Sequence, residues 1–198
     1  KSDVLYLCLE DTYARIQSRL YQIADEAPAE LRIATTSFQI GNGLEQQIEQ
    51  YLSDFPKTKL VIIDTFQKVR DSKSTGGKSG MYAGDYDDVT ALKNISDKYG
   101  IAVLVVHHVR KLKDVSDPFN EVSGSTGITG AADTNFVLKR SRANETGTLL
   151  ATGRDIAYQE LTLKFDNRSH LWELVERKDM EDIHREEIPK CISRLADY

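Results

Sequence analysis

Two carboxylates sit where apolar runs end: Glu10 after Val4–Leu9, and Asp64 after Leu60-Val61-Ile62-Ile63. An unbroken aliphatic run is the pattern of a strand buried on both faces of a parallel sheet, and a residue at its end is rigidly placed. An acid there can hold Mg2+ beside phosphates, because magnesium takes carboxylate oxygens and retains water. Asp64 fits that role, with Thr65 in support. Glu10, within Leu9-Glu10-Asp11, fits a general base that orients the water attacking a γ-phosphate. Acids in such a place also start helices, near the positive end of the dipole, and that plainer role suits Asp11. A third apolar run, Val103–Val106, ends in His107-His108. Adjacent strand residues point to opposite sides, so one imidazole faces the crevice where α/β sheets take ligands and can contact a γ-phosphate. No cysteine or acid cluster stands at zinc-ligand spacing from this pair.

Arg154, in Thr152-Gly153-Arg154-Asp155, closes a later strand. A guanidinium there can reach a phosphate across a subunit boundary and stabilise the charge that develops in transfer. The plainer alternative is a hairpin arginine paired with Asp155. Arg140 and Arg142 are weaker rivals for the finger role. Lys68, Arg70, Lys73 and Lys78 lie in a Ser/Gly/Lys-rich stretch over 66–84, which reads as a loop. A basic loop suits the phosphates of single-stranded DNA, and equally suits a solvated surface. Gly76-Gly77-Lys78-Ser79 has the ending of a phosphate-binding loop, but Ser72 stands where the first glycine belongs. The segment also follows the Asp64 strand instead of joining a first strand to a helix, so it is not read as a nucleotide cradle.

The elements that must position these residues alternate. Strands are expected at Val4–Leu9, Leu31–Thr35, Lys59–Asp64 and Ile101–Val106. Helices are expected from Tyr13 to about Ala27, around Leu44, Ile48, Tyr51 and Leu52, and over Tyr86–Tyr99. Strand-helix alternation with short connections implies a parallel sheet with right-handed crossovers. The second half changes character. Short strands at Phe136–Lys139, Gly147–Thr152, Gln159–Phe165 and Leu171–Val175, separated by turn residues, imply an antiparallel extension of the same sheet. From Glu176 to Tyr198 the chain is charged and reads as helix, interrupted at Pro189.

Composition bounds the rest. The 198 residues are 40% hydrophobic and 29% charged, enough to build a globular core and unlike a disordered chain. A net charge of -5 argues against a nucleic-acid module that is basic all over, although a local basic channel fits it. No apolar run approaches the ~20 residues that span a bilayer. The two cysteines, Cys8 and Cys191, are far apart, which suits free thiols in a reducing cytoplasm. The chain opens at Lys1-Ser2-Asp3, directly before a strand and without an initiator Met, and is therefore expected to be a fragment.

These pieces, in this order, resemble the RecA-like ATPase core of RepA-type hexameric helicases, the AAA-type ATPases of plasmids and phages. They are more distantly similar to the ATPase domain of DnaB-type replicative helicases. The segments that carry the resemblance are VLYLCLED (4–11), LVIIDT (60–65), VLVVHHVRK (103–111), GSTGITGAADTNFVLKR (124–140) and the strand into Gly153-Arg154-Asp155. The resemblance implies an α/β RecA-like P-loop NTPase core, with a mainly parallel twisted sheet flanked by helices and an antiparallel extension. It covers residues 1–176 as one domain, with 177–198 as a charged helical segment.

By the same resemblance Glu10 is the catalytic glutamate, Asp64 the Walker B acid, His108 the sensor, where DnaB-type enzymes carry Gln, and Arg154 the finger. Gly124, Ser125, Ala132 and Asp133 match a motif connecting the site to a central channel. Thr152 departs from the Lys that DnaB-type enzymes often place two residues before the finger. The implied ligands are ATP and Mg2+, and the implied partners are single-stranded DNA and further copies in a ring, a hexamer, acting in DNA replication. In the family a Walker A loop precedes the Glu10 strand, so a chain beginning at Lys1 is expected to bind ATP poorly. Two other readings fit the same residues: an ATP-regulated mediator of recombination or repair that binds single-stranded DNA, and a catalytically dead scaffold.

Overall fold

The computed structural model describes residues 1–70, 78–109, 117–122, 126–141, 144–183 and 185, with the backbone alone for 78–81. The chain divides into two compact units, Lys1–Ala132 and Asp133–Tyr198.

The first unit is a parallel α/β sheet. Its elements run β1 (Asp3–Cys8), α1 (Tyr13–Ile23), β2 (Leu31–Ala34), α2 (Leu44–Asp54), β3 (Thr58–Asp64), α3 (Phe66–Val69), α4 (Lys78–Tyr99), β4 (Ala102–Val106) and α5 (Thr126–Ala131), with a 3-10 turn at Pro118–Glu121. Strand order is β2-β1-β3-β4, all neighbours parallel. The alternation in β3 shows how the sheet is seated: Val61 and Ile63 are buried, while Leu60, Ile62 and Asp64 point to the other face. Leu5, Leu7, Val61 and Ile63 pack with Leu44, Ile48 and Leu52 of α2, with Leu92 and Ile95 of α4, and with Phe66 and Val69 of α3. Burying a side chain of this size is worth about 1.5–3 kcal/mol, so this layer fixes the strand ends. The opposite face of β4 leaves Leu104 and Val106 exposed.

Two local expectations change. Thr12, not Asp11, caps α1, its hydroxyl accepting from the Arg15 N–H; Asp11 instead pairs with Arg15 and Arg19. The stretch read as a loop over 66–84 contains α3 and the first turns of α4. Its Ser and Gly content hid them, while Phe66 and Val69 are both fully buried and hold α3 in place.

The second unit is an antiparallel meander of β5 (Thr134–Arg140), β6 (Thr146–Gly153), β7 (Gln159–Asp166) and β8 (Leu171–Lys178), in that order. These strands pair among themselves and form a sheet of their own instead of continuing the first. Strand β8 runs through Lys178, and a helical turn begins at 180; the remainder of the charged tail, with Pro189 and Cys191, lies outside the described residues. Cys8 is a buried free thiol. Among the described residues no helix is long and apolar enough to cross a membrane.

A candidate active site

Parallel register delivers three polar residues to one sheet edge. Cys8 of β1 lies level with Asp64 of β3, and Asp64 level with Val106 of β4, so the chain emerges from all three strands side by side. Leu9 N–H donates to the Asp64 carbonyl at 2.6 Å, which holds the segment bearing Glu10 against the end of β3. The Thr65 hydroxyl then donates to Glu10 Oε1 at 3.1 Å, and His108 Nε2 stands 3.9 Å from Glu10 Oε2. Thr65 is buried, whereas the Glu10 and His108 side chains are 42% and 69% exposed. A carboxylate fixed on its inner side and open on its outer side is what a general base for water requires. The Asp64–Thr65 peptide bond is cis. His107 goes the other way: half-buried, its ring meets the edge of Phe66 at 5.6 Å between centroids.

The Asp64 carboxylate is half-buried and accepts from the Tyr6 hydroxyl at 2.8 Å through Oδ2. Burial above all, then hydrogen bonds with Cys8 and Asp64, pushes the Tyr6 phenol well above its ordinary range, so it stays protonated and donating. The donor set at this edge is Asp64, Glu10 and the Thr65 hydroxyl. It is all hard oxygen, with few carboxylates, and fits Mg2+, which keeps several of its waters.

Arg154 belongs to the second unit and is held there. Its Nη1 lies 3.3 Å from Asp133 Oδ1, and its N–H donates to the Asp133 carbonyl at 2.9 Å. The plainer alternative read from the sequence paired it with Asp155; the β5–β6 register puts Gly153 opposite Thr134, so the start of β5, not the next residue, meets the guanidinium. Arg154 remains 56% exposed. Arg140 is otherwise engaged, stacked over Phe165 and Trp172 at 4.8 and 5.1 Å from their centroids, and Arg142 lies outside the described residues.

The basic set divides. Lys68 is exposed on α3. Lys73 lies outside the described residues, and Lys78 opens α4, where only backbone is described. Arg70 corrects the expectation of a phosphate-binding loop residue. Its guanidinium is 9% exposed, paired with Asp85, and donates from Nε to Asp88 at 2.9 Å. Two carboxylates claim it, and it packs 5.4 Å from the Phe66 centroid, so it ties α3 to α4. Of the channel motif, Gly124 and Ser125 lie outside the described residues, and Ala132 packs against the core.

Sequence reasoning missed Tyr6 and the Asp85–Arg70–Asp88 group, and it gave Asp133 a place in the channel motif without its pairing to Arg154. For Tyr6 the signal was present: it shares strand parity with Cys8, hence a face with Asp64 once the strands pair.

The sequence model of the AAA domain family (AAA_25) matches residues 1–114, more than half the chain. Among 49 chains of solved structures that match is the crystal structure of the RadB recombinase, at TM-score 0.58 and 15% identity, covering 88% of this chain and 80% of that one. At that identity the likeness is one of fold, and the fold is RecA-like. No curated protein matches the chain.

Proposed function

The chain belongs to the AAA domain family, and on that footing we propose that it is the core of a Mg2+-dependent ATP hydrolase that drives translocation and unwinding on DNA, as a RepA-type helicase acting in replication. What carries the reading is the Glu10 carboxylate held by Thr65, beside His108 and one strand from Asp64, at the carboxyl edge of a parallel sheet. Asp64 and Thr65 would hold Mg2+, which neutralises phosphate charge when bound. Glu10 takes the proton of the attacking water; Thr65 fixes which of its oxygens is free to do so. His108, exposed and close to Glu10, senses loss of the γ-phosphate. Arg154 supplies the finger of a neighbouring subunit in a ring. Lys68, exposed, with Lys73 and Lys78, takes single-stranded DNA.

In the full-length protein, Glu10→Gln is expected to retain ATP binding while turnover falls about 10^2–10^4-fold. Turnover at the wild-type rate would take the base role from Glu10. The fold shared with the RadB recombinase favours a second reading, an ATP-regulated recombination or repair mediator on single-stranded DNA. Strand displacement on a forked duplex separates the two: the helicase displaces, the mediator does not.

A further inference from the structure

Tyr6 has no part in the hydrolysis scheme above, yet it touches the acid at its centre. It stands level with Ile62, and Asp64 is two residues further along β3 on the same face. Two residues along a strand and one strand across amount to roughly 6.6 and 4.8 Å, a diagonal that a phenol bridges and a serine or threonine does not. The hydroxyl donates to Asp64 Oδ2 at 2.8 Å. Left alone, an aspartate carboxyl turns broadly about χ2, and either oxygen faces a ligand equally often.

We propose that Tyr6 is a positioning residue for the divalent cation: by occupying Oδ2 it fixes the plane of the Asp64 carboxylate and reserves Oδ1 for Mg2+ or for its waters. A phenol suits this better than a cation, because it directs the carboxylate without neutralising the charge the metal needs. The inference rests on the reading of Asp64 as the metal-binding acid.

Tyr6→Phe keeps the ring and removes only the donor. In the full-length protein it is expected to raise the free Mg2+ needed for half-maximal ATP hydrolysis about 10-fold, the usual cost of losing an outer-shell partner. Turnover at saturating Mg2+ and ATP affinity in EDTA should stay at wild-type values. Mn2+ paramagnetic resonance in the presence of ATP should show the same weakening without reference to turnover. Asp64→Asn is the companion variant. If it loses metal dependence while Tyr6→Phe keeps the wild-type Mg2+ curve, the positioning role is overturned and the hydrolase reading stands. If Asp64→Asn itself keeps the wild-type Mg2+ curve, the metal site and the Tyr6 role fall together. A Tyr6→Phe protein with a lowered melting temperature and a loss of turnover that excess Mg2+ does not rescue would make Tyr6 a packing residue and overturn the proposal.

Discussion

Lys1–Ala132 and Asp133–Tyr198 each hold one four-stranded sheet, parallel in the first and antiparallel in the second. The direction of pairing governs which side chains can meet. In the parallel sheet every strand ends at the same edge, so Glu10, Asp64 and His108, 54 and 44 residues apart in sequence, arrive together by register alone. In the meander successive strands end at opposite edges. The residue after β6, Arg154, therefore meets the start of β5, and its partner is Asp133. The apolar residues tell the same story. The large buried cluster lies within the first unit, whereas the second buries Val137, Leu150 and Ala151 and leaves Phe136, Leu138 and Leu174 exposed. Glu10, Asp64 and His108 thus stand on the unit with the large core, and Arg154 on the unit with the smaller one.

The sharpest way to break that contrast is Arg154→Ala. If the second unit presents a finger, turnover of the full-length protein should fall about 10^3-fold or more. Melting should hardly move, since an exposed pair such as Arg154–Asp133 is worth about 0–1 kcal/mol. Unchanged turnover would leave all the chemistry in the parallel unit.

Next in size is the ion group that ties α3 to α4. Asp85 is fully buried and faces an Arg70 that is nearly so. Asp85→Ala removes the fully buried partner of Arg70, leaves it Asp88 alone, and should cost about 1.5–3 kcal/mol by denaturant unfolding. Asp88→Asn should cost far less, because Asp88 is the surplus negative charge of the three. Burial raises its carboxyl pKa above 3.8, and that effect outweighs the opposing pull of Arg70. The folded chain therefore binds this proton more tightly than the unfolded chain does. Wild-type stability should decline as pH rises from below 3.8 through the raised value, and Asp88→Asn should flatten that limb. Equal losses in the two variants would show that Arg70 does not distinguish its partners.

How much of this was legible in the sequence follows from how local each signal is. The aliphatic runs ending in Glu10, Asp64 and His107-His108 report burial directly, so the parallel sheet and its edge could be read without coordinates. Arg70 could not. Its role depends on Asp85 and Asp88, 15 and 18 residues away on a helix whose first turn lies in Ser/Gly-rich sequence. Periodicity says that a residue is on a face, not that two acids wait there. Tyr6 falls between these cases: its face was readable from strand parity, but its bond to Asp64 needed the β1–β3 register, which no single strand encodes. The second sheet was misjudged for the same reason. Alternation identifies a strand but does not name its neighbour.

The smallest of these effects is the one that tests how firmly the second unit holds its arginine. A Cβ added to Gly153 would lie 2.6 Å from the Asp133 carbonyl oxygen and 2.8 Å from Thr134 Oγ1. That carbonyl cannot retreat without loss, because it accepts the Arg154 N–H at 2.9 Å. Gly153→Ala must therefore spread the β5–β6 end, at a cost of about 1–3 kcal/mol. The displaced residue is the neighbour of the glycine, so turnover should fall along with the melting temperature, whereas Arg154→Ala should lower turnover alone. The pair of variants thus separates the place of the guanidinium from its charge. A Gly153→Ala protein that melts like wild type would mean that the strand end opens freely, and that the meander does not set where Arg154 points.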